Sequence, residues 1–197
     1  SDMVRFQRLT GVRPGELCSL RPEDVVVIGA RDVDAGEAEF VRELGVRVIS
    51  MSEVDTRGLA RCVDEALEQI TANTSGIHLS FDLDGVDPRD APGVGTPVPG
   101  GLGLRESHLL CEKVARTGQL VGMEMVELNP ILDHANKTGE LAVWLIESAL
   151  GKTNADAIGT QMKGLVNLVE AGGYGSIVAA VVAVIVIGTT APAPLAS

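Results

Sequence analysis

The sequence predicts an α/β fold, a three-layer αβα domain built on a parallel sheet. Two observations carry that prediction. Short β-branched runs alternate with amphipathic stretches of helical period, and the helical stretches have the length of crossover connections. Such crossovers are right-handed and place helices on both faces of parallel strands.

Val25-Val26-Val27-Ile28-Gly29 is short and almost wholly apolar, the pattern of a buried strand. Gly36–Leu44 follows as a helix with Ala38, Val41 and Leu44 on one face, and Val46–Met51 as a second strand. Ser52 is the expected cap of the next helix, whose buried face is marked by Leu59, Val63, Leu67 and Ile70. Ile77–Leu83 is a third strand, Leu104–Thr117 a helix, Gln119–Val126 a fourth strand and Thr138–Leu150 a closing helix. Composition divides the chain into a basic, turn-rich extension (1–21), the α/β domain (22–152) and a Gly/Ala/Val-rich tail (153–197). Within the tail, residues 177–187 form an apolar run shorter than the roughly 18–20 residues that span a bilayer. A membrane segment is therefore less expected there than a buried or aggregation-prone strand or helix.

A formal charge of −11 opposes a nucleic-acid partner, because phosphate binding needs a concentrated basic face. Aromatic residues make up only 3% of the chain, which leaves no set of rings for stacking bases. Cys18, Cys62 and Cys111 are odd in number and far apart, neither a disulfide framework nor a CxxC site. They point to a reducing cytoplasm and to buried or idle thiols. The charged N-terminal residues carry no secretory pattern.

The segment that carries chemistry is His78-Leu79-Ser80-Phe81-Asp82-Leu83-Asp84-Gly85-Val86-Asp87-Pro88. Alternation along a strand puts Asp82 and Asp84 on one side, with Leu79, Phe81 and Leu83 on the other. Two carboxylates on one face at a strand's C-terminal end repel each other unless a cation lies between them. That end is also where open α/β sheets bind ligands. Hard oxygen donors suit Mg, Ca or Mn; a pair of solvated acids is the alternative. Pro88, Pro92, Gly93, Gly95, Pro97, Pro99, Gly100 and Gly101 then make a long loop of little helix or strand potential, and such a loop in a compact domain is usually functional.

With Ser80-Phe81-Asp82-Leu83-Asp84, Pro88, Pro92-Gly93, Gly95–Leu102, Arg105-Glu106, Glu127-Leu128-Asn129-Pro130 and Asn136-Lys137-Thr138, the chain resembles the arginase/agmatinase (ureohydrolase) family. Val27–Glu37 and Ser52–Asp55 resemble the preceding elements, so the likeness covers about residues 22–152 and is closest to arginase. The resemblance implies an arginase-like fold present as an incomplete C-terminal half. It implies two Mn2+ ions, with Asp82 bridging them and Asp84 bound to one, and a guanidino substrate met by Glu127 with Thr96 beside it. The implied reaction is hydrolysis of L-arginine to urea and ornithine, with a homo-oligomeric assembly; agmatinase or another ureohydrolase is the nearest alternative, a non-catalytic fragment the more distant one. Arg105 and Glu106 resemble positions used in subunit contacts, or form a simple ion pair on the helix surface.

The family's upstream His and Asp-Ala-His-x-Asp ligands have no counterpart here. His78 reads as a core histidine, while His108 falls in a helix and His134 in a loop. The chain alone is therefore expected to be inactive. Residues 6–24, with Arg13, resemble a tyrosine-recombinase segment, but the His-x-x-Arg and the placed tyrosine of that family are absent.

Overall fold

In a computed structural model, residues 21–31, 33, 35–152 and 184–189 are described, the last six by backbone alone. The N-terminal extension, Cys18 included, and most of the tail lie outside the described residues.

Ten elements follow in order: β1 (Val25–Ala30), α1 (Ala35–Leu44), β2 (Arg47–Ser50), α2 (Met51–Arg57), α3 (Leu59–Thr71), β3 (Gly76–Asp82), α4 (Leu104–Arg116), β4 (Leu120–Val126), α5 (Lys137–Ala149) and β5 (Val184–Thr189). The sheet order is β2-β1-β5-β3-β4. As the alternating pattern requires, β1 pairs parallel to β2 and β3 parallel to β4. The sheet is not wholly parallel, however. β5, from the apolar tail, lies between β1 and β3 and runs antiparallel to both. Among the described residues no helix is long and apolar enough to cross a membrane.

β1 is buried on both faces, with Val25, Val26, Val27 and Ile28 all 4% exposed or less. Ile77, Leu79 and Phe81 of β3 are fully buried, as alternation along the strand requires. Leu59, Val63, Leu67 and Ile70 recur at helical spacing on α3 and pack into the same core. α4 lies against both α3 and α5. The cap of α2 is Ser50 rather than Ser52: its hydroxyl accepts the Glu53 N–H at 3.2 Å. Ser50 holds the extended backbone that a cap requires, whereas Ser52 is already helical. Cys62 and Cys111 are free, buried thiols, and burial pushes the Cys111 thiol up to about 12.

Candidate functional site

The site is built where β1, β3 and β4 end. β3 stops at Asp82, and Leu83–Gly85 form a single 3-10 turn. Asp84 is therefore not placed by strand alternation, as its spacing suggested. The Asp82 carboxylate accepts the Asp84 backbone N–H at 2.8 Å, closing the turn that directs Asp84 inward. Asp84 is buried at 2% exposure, while Asp82 is half-buried.

The loop after this turn is tied at several points. At its base Val86 bridges Leu102, with the Asp87 N–H donating to Leu102 O at 2.9 Å and the Leu102 N–H to Gly85 O at 2.9 Å. Gly101 is required there: a Cβ would stand 2.6 Å from Gly85 O. Midway, Val94 bridges Leu128, and the Asn129 N–H donates to Gly93 O at 2.8 Å, which ties the loop to the end of β4. Asp87 holds the far side, accepting the Gly100 N–H at 2.9 Å and the Arg89 side chain at 2.7 Å. The Arg89 hydrogen bond keeps the Asp87 carboxyl far below the usual carboxylate range. From the end of β1, the Arg31 guanidinium donates to Val98 O at 2.6 and 3.0 Å and to Asp84 O at 2.6 Å. One side chain thus joins two strand ends to the loop.

These ties bring the sequence-predicted residues together. The Thr96 backbone N–H donates to the Asp84 carboxylate, and the Glu127 charge acts on both Asp82 and Asp84. Glu127 sits just past β4 with φ of 66°, a left-handed conformation that a non-glycine residue rarely adopts. Its Oε2 lies 3.6 Å from where a Cβ on Gly95 would stand. Thr96 and Glu127 are exposed, so the site has a buried acidic floor and an open polar rim.

The floor is electrostatically unsatisfied. Burial, followed by the Glu127 charge, pushes the Asp84 carboxyl up to about 7, against the pull of the Thr96 N–H and Arg31. Burial and then the Asp84 charge raise Asp82 well above its ordinary range. Asp84 Oδ1 is buried with no hydrogen-bond partner. Unpaired, desolvated carboxylate oxygens of this kind suit a hard cation in character. In number they do not: among the described residues no group of three or more His, Cys, Asp or Glu could hold a metal ion. The residues present make a partial donor set, not a closed cage.

The histidines do not extend it. His78 is not a core histidine. Its side chain is 28% exposed and stands 4.0 Å from Glu124, with the ring lying over Gly122 of β4, where an added Cβ would come within 2.9 Å of Nδ1. His108 is buried between α4 and α5, with Nδ1 2.8 Å from Ser148 Oγ, and His134 is exposed. Arg105 and Glu106 do not pair with each other: Arg105 makes a bidentate pair with the buried Glu112, and Glu106 accepts the Gly103 N–H. Arg105 and Glu112 are seven residues apart, two helical turns, and so lie on one face, whereas adjacent residues diverge.

Sequence reasoning missed Arg31 and Asp87 as builders of the site. Asp87-Pro88 carried a local signal, since aspartate before a turn commonly accepts the N–H two residues on. The long-range bonds of Arg31 carried none.

This sheet, with its acidic edge beneath a tied Gly/Pro loop, defines an α/β domain whose candidate site lies at the strand ends. Comparison with known proteins gives that domain its family: residues 11–151 match the arginase family, and the chain belongs to it. The arginase of Bacillus subtilis (strain 168) is 53% identical over 133 residues, which cover 68% of this chain and 45% of that relative. The native structure of Bacillus caldovelox arginase superposes with a TM-score of 0.67 at 48% identity, covering 73% of this chain and 47% of that one. Formiminoglutamase of Trypanosoma cruzi, solved with Mn2+, superposes with a TM-score of 0.54 at 27% identity, covering 59% of this chain and 39% of that one. The chain spans about half the length of the curated relatives it matches.

Proposed function

We propose that this chain carries the carboxylate half of an arginase-type site, and that the whole site hydrolyses L-arginine to urea and ornithine with manganese. The observation that carries this reading is the buried, unpartnered Asp84 Oδ1 at an edge shared with Asp82 and Glu127. Names of relatives support it, together with the Mn2+ in the formiminoglutamase structure. Asp82 and Asp84 are the donors this chain would offer to the metals. A metal pair, when bound, supplies hydroxide near neutral pH.

What the chain's own residues do follows from their placement. Glu127, on the exposed rim, offers a carboxylate whose two oxygens match the donor fork of a guanidinium. Arg31 and the Thr96 N–H hold the Asp84 segment at a fixed depth below it. Because the donor set is partial, no catalytic step is assigned to the chain by itself. The same reading carries homo-oligomeric assembly and a cytoplasmic setting, in keeping with the free thiols Cys62 and Cys111.

The test is an assay of urea release from L-arginine with added Mn2+, alongside calorimetric titration of the metal. The chain alone should release no measurable urea and bind Mn2+ weakly. Supplying in trans the part of the Bacillus subtilis relative that this chain does not match should give urea, and Asp84→Asn should remove it. Urea release by the isolated chain, lost in Asp82→Ala, would overturn the half-site reading.

A further inference from the structure

β5 differs in kind from the other strands. It lies at the centre of the sheet and runs antiparallel to both neighbours, whereas β1–β2 and β3–β4 pair parallel. It also lies outside the family match, which ends at residue 151. The superposition on the Bacillus caldovelox relative covers more of this chain than either strand pair with its helices contains. Both pairs therefore keep in that relative the placement they have here, with a gap one strand wide between β1 and β3. Buried backbone on both sides of the gap needs a partner, from Val25 to Ile28 on β1 and from Gly76 to Phe81 on β3. What fills the gap in the relative comes from the half that this chain does not match.

The two occupants are not equivalent. Val184, the first residue of β5, lies opposite Ile28 and Phe81, so the N-terminal end of β5 stands at the carboxylate edge. A strand parallel to β1 and β3 would present its C-terminal end there, the end at which α/β sheets place ligand-binding residues. Residues 171–197 contain no Asp, Glu, His or Cys. The tail strand thus closes the sheet and adds no carboxylate, imidazole or thiolate to the partial donor set. It also leaves apolar surface for a larger partner to cover. Ile131 and Leu132, just past the site, are 74% and 49% exposed, and Val121 on the outer strand β4 is 68% exposed. Burying that surface favours the larger occupant over β5.

We propose that the slot between β1 and β3 is the docking surface for a strand from the other half of an arginase-type domain, and that Val184–Thr189 holds it as a displaceable plug. The proposal rests on the half-site reading above. Val25, Val26, Val27 and Ile28 flank the slot on both faces of the sheet, so the strand it takes is apolar on both faces.

The test uses the full chain and, as probe, the part of the Bacillus subtilis relative that this chain does not match. Hydrogen exchange of the chain is followed with and without an excess of that fragment. Amides of 184–189 should be protected in the lone chain and exchange about tenfold faster or more once the fragment binds, while β1 and β3 stay protected. Protection of 184–189 that survives binding, or a fragment that does not bind, would overturn the plug. A second measurement locks the strand in place. Val26 and Val186 are directly opposed, at a separation in antiparallel pairs that a disulfide can span. In Val26→Cys/Val186→Cys with Cys18→Ser, the oxidised chain should bind the fragment about tenfold more weakly than the same chain reduced. Equal binding of the two forms, with the 26–186 disulfide confirmed by peptide mapping, would also overturn it. The half-site reading fails by a different result: a fragment that displaces 184–189 and still yields no urea.

Discussion

Gly93 and Asp133 approach so closely that neither can change without the other. A Cβ on Gly93 would stand 2.5 Å from both Cβ and Cγ of Asp133. Asp133 is held there because its carboxylate accepts the Thr138 N–H at 3.0 Å and the Gly139 N–H at 3.1 Å, capping the first turn of α5. Thr138 closes the circuit, its hydroxyl accepting the Gly93 N–H at 2.7 Å.

Gly93→Ala should therefore destabilise the domain by about 1–3 kcal/mol, the range for overpacking a filled site. The loss comes from Asp133 being driven off its cap as well as from the clash. Urea denaturation measures it, and Gly118→Ala is the comparison, since nothing lies within 4 Å of its added methyl and its cost comes from a φ of 65° alone. An unchanged midpoint in Gly93→Ala would mean that the loop moves away freely.

Stability should fall as pH rises from about 4 to 7. Asp84 has a folded value of about 7 against an ordinary 3.8, so in that window the folded chain holds a proton that the unfolded chain has released. Asp82, raised by burial and the Asp84 charge, adds to the same slope. Below about pH 4 the sign reverses. Asp87 is held low by its hydrogen bond from Arg89, and Glu112 by its hydrogen bond from Arg105; both lose their stabilisation on protonation. Denaturant midpoints of the metal-free chain should peak between about pH 4 and 5, and Asp84→Asn should flatten the alkaline limb. A midpoint that climbs steadily to pH 8 would contradict the buried acidic floor.

Glu127→Gly should stabilise the chain by about 1 kcal/mol, because glycine holds a φ of 66° without the steric cost of a side chain. The same substitution removes the charge that raises Asp84, which should shorten the alkaline limb. Glu127→Ala shares only the second effect. Equal stabilities for the two variants would show that the left-handed conformation carries no strain.

Arg31→Ala should cost roughly 2 kcal/mol, since it leaves the carbonyls of Val98 and Asp84 without their charged donor. Arg31→Lys should recover part of that, because one ammonium cannot reproduce a planar fork. Hydrogen exchange localises the change: amides of 95–101 should exchange faster, those of α3 should not. Uniform acceleration across both would mean that Arg31 supports the whole fold rather than the loop.

The sheet and its helices were legible because their signals are local. Val25–Ala30 and Leu104–Arg116 appear within a residue or two of where periodicity put them, the helix expected after Ser52 is divided at Gly58 into α2 and α3 although its marked face is buried, and Asp82, Asp84, Thr96 and Glu127 meet at one edge. Errors arose where structure depends on the third dimension. Asp84 is placed by a turn closed on Asp82, which a spacing of two cannot distinguish from strand alternation. His78 looked like a core residue, and only the pairing with β4 shows its ring lying over Gly122 and partly exposed beside Glu124. The run 177–187 was apolar enough for a strand, yet no local pattern says that part of it inserts antiparallel between β1 and β3.

The position of that last strand also sets the order in which the molecule is finished. Val25, near the start of the domain, has Ile187 as its neighbour, so one of its pairings spans nearly the whole chain. On a ribosome, β1–β2 and β3–β4 emerge as two separate half-sheets, each with an open edge, before the segment that joins them has been made. Pairings of such separation are slow to form, and their open edges invite aggregation meanwhile. Joining of the two ribbons thus waits for Val184–Thr189 to be made, and a nascent chain stalled just before Val184 would hold them unjoined and in need of a chaperone.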